Sequence, residues 1–126
     1  MKRLAAAFIL IAAAVVITVW SGHIFNREMD YFESSLSRLV DISAVSTDET
    51  LLDEAKKLEH SWRETSRTLR SVVLHEGIDE LGRSVSSLPR LIEYSGRDEM
   101  ITECIEAINL IKNLKSCEKL SLENVL

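Results

Sequence analysis

Three histidines, two cysteines and many acidic side chains are the residues of this chain that could bind a metal ion or catalyse a reaction. His23, His60 and His75 lie far apart, and none belongs to a His-Glu-x-x-His pair. Glu103 and Glu106 would share a helix face, but a di-iron bundle needs Glu-x-x-His, and no glutamate here has a histidine three residues later. The sequence therefore predicts no metal site.

The motifs of nucleophilic catalysis and phosphate binding are also missing. The four glycines are isolated, which excludes a glycine-rich phosphate loop, and no serine lies in Gly-x-Ser-x-Gly. Cys104 and Cys117 would be about 20 Å apart on one helix, whereas a disulfide needs Cα atoms within about 7 Å. We interpret both as small helix residues, with an intermolecular bridge through Cys117 as the alternative. We expect no catalytic residue, no cofactor and no enzyme activity.

The charge of the chain argues against nucleic acid as a partner. The formal net charge is −5, and the chain without Lys2 and Arg3 carries −7. A phosphate backbone is bound by lysine and arginine, so an acidic domain does not favour it. The excess of acidic residues is sufficiently explained by solubility.

The first structural element of the chain is an apolar segment, Leu4–Trp20. It carries no charge, and seventeen helical residues span about 26 Å, close to the roughly 30 Å of a hydrocarbon core. We predict a transmembrane helix, which makes residues 1–25 a membrane anchor in contact with the lipid bilayer. The alternative is a cleaved signal peptide and a secreted helical protein, but Val19-Trp20-Ser21 is a poor cleavage site.

The flanking charges set the expected orientation. Lys2 and Arg3 precede the segment, whereas Arg27 after it is soon outnumbered by acidic residues. The positive-inside rule then places the N-terminus in the cytoplasm and residues 26–126, as one helical domain, outside it. The expected location is the cell membrane, with a single pass.

The remainder of the chain is patterned for helices. Phe25, Met29, Phe32, Leu36 and Leu39 recur at alternating steps of four and three, so one helix should run from the membrane to about residue 44. The predicted fold class is all-α, with an N-terminal transmembrane helix that runs into a small antiparallel bundle of about four helices.

Three further helices complete the predicted bundle. A capping box from Ser46 to Glu49 should start the second, which runs to about His75 with Thr65 filling a gap in its apolar line. Gly77 should end it or form a tight turn, with a kinked continuation of the helix through Gly77 as the alternative. The third, from about Asp79 to Tyr94, should kink or break early near Ser86–Leu88 because it contains Pro89. The fourth should open at Asp98 and bury Ile101, Cys104 or Ile105, Ile108, Ile111, and Leu114 or Lys115.

Candidate partner contacts come from two places. Trp62 lies in the middle of the second apolar line, where it fills the core or anchors a partner, and the core is the safer assignment. Leu120, Leu122 and Val125 belong to an apolar C-terminal tail that packs back on the bundle or docks elsewhere.

Four features carry a resemblance to a known family: the start Met1-Lys2-Arg3-Leu4, the mid-chain Trp62, the stretch from His75-Glu76 to Leu91, and the ending 118–125, Glu-Lys-Leu-Ser-Leu-Glu-Asn-Val. In these the chain resembles an uncharacterised bacterial family, the domain of unknown function 4363. The resemblance covers nearly the whole chain. Such proteins look like membrane-anchored helical proteins that are sometimes encoded beside a multi-span membrane protein. The resemblance therefore implies a membrane partner and assigns no activity.

We therefore expect a membrane-anchored interaction or accessory protein that binds another membrane protein, with self-association left open. The alternative is an extracytoplasmic bundle that senses a ligand. That alternative would need a partner that crosses the membrane, because only Met1-Lys2-Arg3 remains in the cytoplasm.

Overall fold

A computed structural model of the chain describes residues 1–70 and 75–125, including all their side chains except those at positions 75, 76, 121, 122, 124 and 125. Four helices make up this part: α1 (Lys2–Ile42), α2 (Asp48–Leu69), α3 (His75–Tyr94) and α4 (Arg97–Val125). Helix α1 packs against α2 and α4, and α3 packs against the same two helices from the other side. The described residues contain no strand. The predicted all-α bundle of four helices is confirmed.

Two ion pairs show how the ends of the helices meet. Arg97, at the start of α4, pairs with Asp48 at the start of α2, with 2.9 Å between nitrogen and oxygen. Arg70, just after α2, pairs with Asp79 near the start of α3 at 3.1 Å. Consecutive helices therefore run antiparallel, as short connections between neighbouring helices favour.

Helix α1 is continuous, as predicted, and divides into two parts with different surroundings. Residues before Ser21 are exposed or partly exposed, whereas Gly22 and the residues of the predicted four–three pattern from Phe25 to Leu39 are buried. The apolar segment therefore extends beyond the bundle, while the remainder of the same helix contributes one side of the core. Gly22 lies within the helix and does not end it.

The predicted cap of α2 is wrong by one residue, and the helix begins at Asp48. Thr47, not Ser46, caps the helix: its backbone is extended, and its hydroxyl accepts a hydrogen bond from the Thr50 amide at 3.2 Å. The acceptor therefore reaches the third residue of the helix, the usual partner of an N-cap, and no glutamate completes a capping box. Asp48 and Glu49 occupy the first turn, where the helix dipole favours negative charge.

Replacing Thr47 with alanine is expected to lower the free energy of unfolding by about 1 kcal/mol, because the Thr50 amide loses its acceptor. Ser46→Ala is the matched control, since Ser46 does not cap α2, and it should change stability by less than about 0.5 kcal/mol. Thermal unfolding of the full chain in detergent, followed by circular dichroism, measures both. Equal effects of the two substitutions would contradict the assignment of the cap.

The end of α2 and the gap in its apolar line also differ from the prediction. The helix ends at Leu69 and not near His75, and residues 71–74, which include Val72 and Val73, lie outside the described part of the chain. Ser66, which is 6% exposed, fills the buried line in place of Thr65. Its hydroxyl donates to the Arg63 carbonyl oxygen at 3.1 Å, so the polar atom is satisfied within its own helix.

Gly77 neither ends a helix nor forms a turn, because it lies inside the first turns of α3. A Cβ at this position would clash with the Leu114 side chain of α4. The glycine therefore allows α3 and α4 to pack closely and does not terminate a helix. This packing reason is not visible in the sequence, where an isolated glycine resembles a C-terminal cap.

The early break predicted near Ser86–Leu88 is wrong as well, whereas the kink given as its alternative stays a prediction. Helix α3 continues through Pro89 to Tyr94. Leu88 and Ile92, on either side of the proline, are 0% and 8% exposed. We attribute the continuity to this burial, which favours the helix by more than the loss of one backbone hydrogen bond disfavours it.

A sharp turn at Gly96 leads into α4. Gly96 has φ of +105°, a conformation that glycine adopts without strain, and α4 begins directly after it at Arg97, one residue earlier than predicted. Of the predicted pair, Cys104 is buried and Ile105 is 48% exposed. The fully buried line is Met100, Cys104, Ala107 and Ile111, while Ile101, Ile108 and Leu114 are partly buried beside it.

Candidate functional site

Trp62 lies in the core of the bundle, where 3% of the residue is exposed. Its ring packs edge-to-face on Phe32 of α1, with 5.1 Å between centroids and 79° between planes. On α3, a Cβ at Gly82 would lie 2.8 Å from Nε1 of Trp62, so glycine makes room for the indole. The geometry supports the core assignment, and Trp62 offers no surface to a partner in this conformation.

The other predicted contacts lie at the end of α4. This helix contains the apolar tail up to Val125, and Leu120 is 60% exposed. The side chains of Leu122 and Val125 lie outside the described part of the structure. Their role in binding therefore stays a prediction.

The residues suited to chemistry are not brought together. His23 and His60 are exposed, and His75 is the first residue of α3. Among residues 1–70 and 75–125, no three His, Cys, Asp or Glu side chains are placed to hold a metal ion.

The two cysteines differ in environment although both lie on α4. Cys104 is buried beside Met100, with 3.5 Å between the sulfur atoms. Burial, with a smaller effect of the Glu103 charge, raises the pKa of the Cys104 thiol to about 12. A thiol that is protonated at neutral pH is a poor nucleophile and a poor metal ligand. Cys117 is exposed, and both cysteines are free.

A groove of about 670 Å³ opens between α1 and α2. Buried Leu39 and Leu58 form part of its floor, while the rim includes exposed Tyr31 and Arg38 from α1. Lys57, on the α2 rim, pairs with Asp53 at 3.2 Å and with Glu54 at 3.8 Å. The hydrogen bond that Lys57 donates to the Asp53 carboxylate is the main reason that the pKa of Lys57 is raised.

Arg38 differs from Lys57, because no described carboxylate lies within ion-pair distance of its guanidinium group. The groove therefore combines an apolar floor with an available cation on its rim, in a protein that is acidic as a whole. Such a surface suits a partner that carries both apolar and negatively charged groups.

On the other side of α1, ionic contacts join it to α4. Lys115 donates hydrogen bonds to Asp30 and, at 3.2 Å, to Glu33. The bond to Asp30, more than the one to Glu33, raises the pKa of Lys115. These contacts fix α4 against the segment of α1 that follows the apolar part.

Lys115→Met is expected to reduce stability by up to about 1 kcal/mol at neutral pH, because the pair is partly exposed. Since the native pKa is raised, the contribution of Lys115 is fully present below its ordinary value of 10.5 and is lost as pH rises through the native value. The stability difference between wild type and variant should therefore disappear at strongly alkaline pH. Lys112→Met, which removes an exposed lysine without an ion pair in the described structure, should show no such pH dependence. Melting temperatures measured across pH test this, and a difference that persists at all pH values would contradict an ionic origin.

The apolar part of α1 is the most distinctive surface of the molecule. It is the one helix in the described residues that is long and apolar enough to cross a membrane, and none of its most apolar window is buried by the protein. A signal sequence near the N-terminus would have the same properties. By its length and composition, the segment is therefore a candidate for either a membrane span or a signal sequence.

These features define a class: a small helical bundle whose first helix continues into an exposed apolar segment of membrane-spanning length. Within this class, the chain belongs to the family described as domain of unknown function DUF4363, whose model matches residues 19–125. No curated protein and no solved structure matches the chain. The predicted family is confirmed over residues 19–125, which include the whole bundle, whereas the start Met1-Lys2-Arg3-Leu4 lies outside the match.

Sequence reasoning missed the groove between α1 and α2. Tyr31, Ser35 and Arg38 form part of a mostly polar helix face, and such a face normally lies in solvent. The available signal is a second heptad repeat on α1, parallel to the core repeat and passing through these three residues. Only the position of α2 shows that this face borders a cavity.

Proposed function

We propose that the protein is a membrane-anchored interaction protein whose bundle binds another membrane protein outside the cytoplasm. The observation that carries the proposal is the single continuous helix α1, which is bare and apolar over its first part and forms bundle core over its second. A partner held in the same membrane would meet the bundle at a fixed height and orientation. Lys2 and Arg3 before the apolar part support a cytoplasmic N-terminus.

Two observations favour binding over catalysis. The three described groups with a shifted pKa do not line one cavity together: Cys104 is buried with a raised pKa, while Lys57 and Lys115 are already paired with carboxylates. The groove between α1 and α2 has an apolar floor with charged rims. That combination is typical of a surface for recognition.

Co-purification tests the proposal. The tagged full chain, expressed at its native level and extracted in mild detergent, should migrate as a complex with an integral membrane protein. Phe32→Ala is the informative variant, because it disrupts the bundle core and leaves the apolar segment intact. It should lose the partner while staying in the membrane fraction. A wild-type protein that migrates as a lone monomer would overturn the proposal.

A second candidate function is ligand sensing by the bundle, which the groove favours because its volume lies in the range of small-molecule sites. Because the cationic Arg38 lies on the rim of the groove, small anions are the first ligands to test. Citrate and inorganic phosphate should then raise the melting temperature of wild type but not of Arg38→Gln. If neither citrate nor phosphate changes the melting temperature of wild type, ligand sensing through this groove is contradicted.

A further inference from the structure

Helix α1 carries two parallel heptad repeats, of which only one is used in the bundle. The core repeat includes Phe25, Phe32 and Leu39. The second repeat, which we call the outer stripe, lies to one side of it at the same alternating steps of three and four. In the apolar segment and just beyond, the outer stripe consists of Ala7, Leu10, Ala14, Ile17, Ser21 and Ile24.

The outer stripe continues without a break into the groove between α1 and α2. Its later members are Glu28, Tyr31, Ser35, Arg38 and Ile42, and the last four of these line the groove. The distance along the helix from Ile24 to Arg38 is about 21 Å, or roughly four turns. A heptad repeat drifts by about 20° per seven residues on an α-helix, so the outer stripe winds slowly around α1 as one uninterrupted surface from the apolar segment into the cavity. This continuity points to a single occupant for both.

A partner helix is the occupant that fits such a surface. In lipid, helices pack through faces on which small residues let the backbones approach, and the outer stripe alternates Ala7, Ala14 and Ser21 with larger aliphatic residues. Above the lipid, a helix in a groove is held by apolar contacts to the floor and by charges at the rim. Leu39 and Leu58 supply that floor, and Tyr31 adds an exposed ring.

The charges of the outer stripe argue against a second copy of this chain as the occupant. Two copies inserted in one membrane with the same topology must run parallel, so a symmetric pair would place each residue opposite itself. Glu28 would then face Glu28, and Arg38 would face Arg38. Like charges at facing positions of paired helices destabilise the pair, whereas an acidic residue opposite Arg38 would stabilise it.

We therefore propose that the outer stripe of α1 and the adjoining groove bind a transmembrane helix of a different protein. That helix extends past the membrane surface, is apolar where it meets Ala14 and Ile17, and carries an acidic side chain opposite Arg38. This inference rests on the proposed function and specifies the surface and the chemistry of the partner.

Site-specific photo-crosslinking in native membranes tests the inference with the full chain. A photoreactive residue is placed at Ser35, in the outer stripe, or at Ser37, which is exposed on a different face of the same helix. The Ser35 probe should form an adduct with an integral membrane protein in at least fivefold higher yield than the Ser37 probe. Peptide mapping of the adduct should locate it just outside the end of a transmembrane helix, next to an acidic residue.

Charge substitutions test the role of Arg38. Arg38→Glu should reduce the Ser35 adduct at least fivefold, and lysine at the mapped acidic residue of the partner should restore it. Arg90→Glu, which reverses an exposed arginine on α3, should leave the yield unchanged. An adduct between two copies of this chain, or equal yields from Ser35 and Ser37, would overturn the inference. If a partner co-purifies but no Ser35 adduct forms, the inference about the outer stripe is also overturned. If no partner co-purifies, the proposed function itself is overturned.

Discussion

Replacing Ile11 with arginine is expected to abolish stable integration of the protein into the membrane. Ile11 lies near the centre of the apolar segment and is 62% exposed, so no part of the bundle would shield a charge there. On insertion scales, the exchange of isoleucine for arginine at a helix centre costs about 3 kcal/mol, which corresponds to a change of roughly 100-fold in the insertion equilibrium. A short segment has little excess hydrophobicity with which to offset this cost.

Fractionation of cells with an alkaline carbonate wash measures the effect. Wild type should stay with the membranes, whereas most of the Ile11→Arg protein should appear in the wash or in the soluble fraction. Ile11→Leu is the matched control and should behave as wild type, because it keeps the apolar character and the length of the side chain. If the arginine variant resists carbonate as well as wild type does, the apolar segment does not hold the protein in the membrane.

Replacing Phe32 with alanine is expected to be the most destabilising single truncation in the bundle. Phe32 is fully buried on α1 and contacts Trp62 of α2 edge-to-face, so its removal affects the packing of two helices at once. Such truncations cost about 3–5 kcal/mol, a large part of the roughly 5–15 kcal/mol that stabilises a typical domain. The melting temperature should fall by at least about 12 °C.

Tyr94→Ala is the control for this measurement. Tyr94 is 81% exposed at the end of α3, so its truncation should change stability by less than about 0.5 kcal/mol. Both variants are compared with wild type by thermal unfolding in the same detergent. If the Phe32 and Tyr94 variants have the same melting temperature, the core is not built around the Phe32–Trp62 contact.

The repeating apolar positions explain why the fold could be predicted from the sequence. From Phe25 to Leu39 the steps of four and three are unbroken, and a period of that kind is produced by burial of one helix face. Leu51, Ala55 and Leu58 of α2 follow the same alternating steps and are buried. Burial of a face depends on its average composition, so single exceptions do not disturb it.

The wrong predictions concern positions where a single contact decides the outcome. Gly77 faces Leu114 of a helix that follows much later in the sequence, and no local pattern encodes that approach. Ser46 and Thr47 are equally good capping residues, so the choice between them depends on where the chain leaves α1. The groove was not predicted because a polar stripe gives the same pattern in solvent and beside a cavity.

The most direct measurement of the central claim is the intact mass of the protein recovered from carbonate-washed membranes. If α1 is one uninterrupted helix that both anchors the protein and forms part of its bundle, the mass of the recovered chain should still include Leu4–Trp20. A chain that begins after Trp20 would show that the apolar segment acts as a signal sequence. Recovery of the protein in the wash would show that the segment does not hold it in the membrane, and either result would contradict the account.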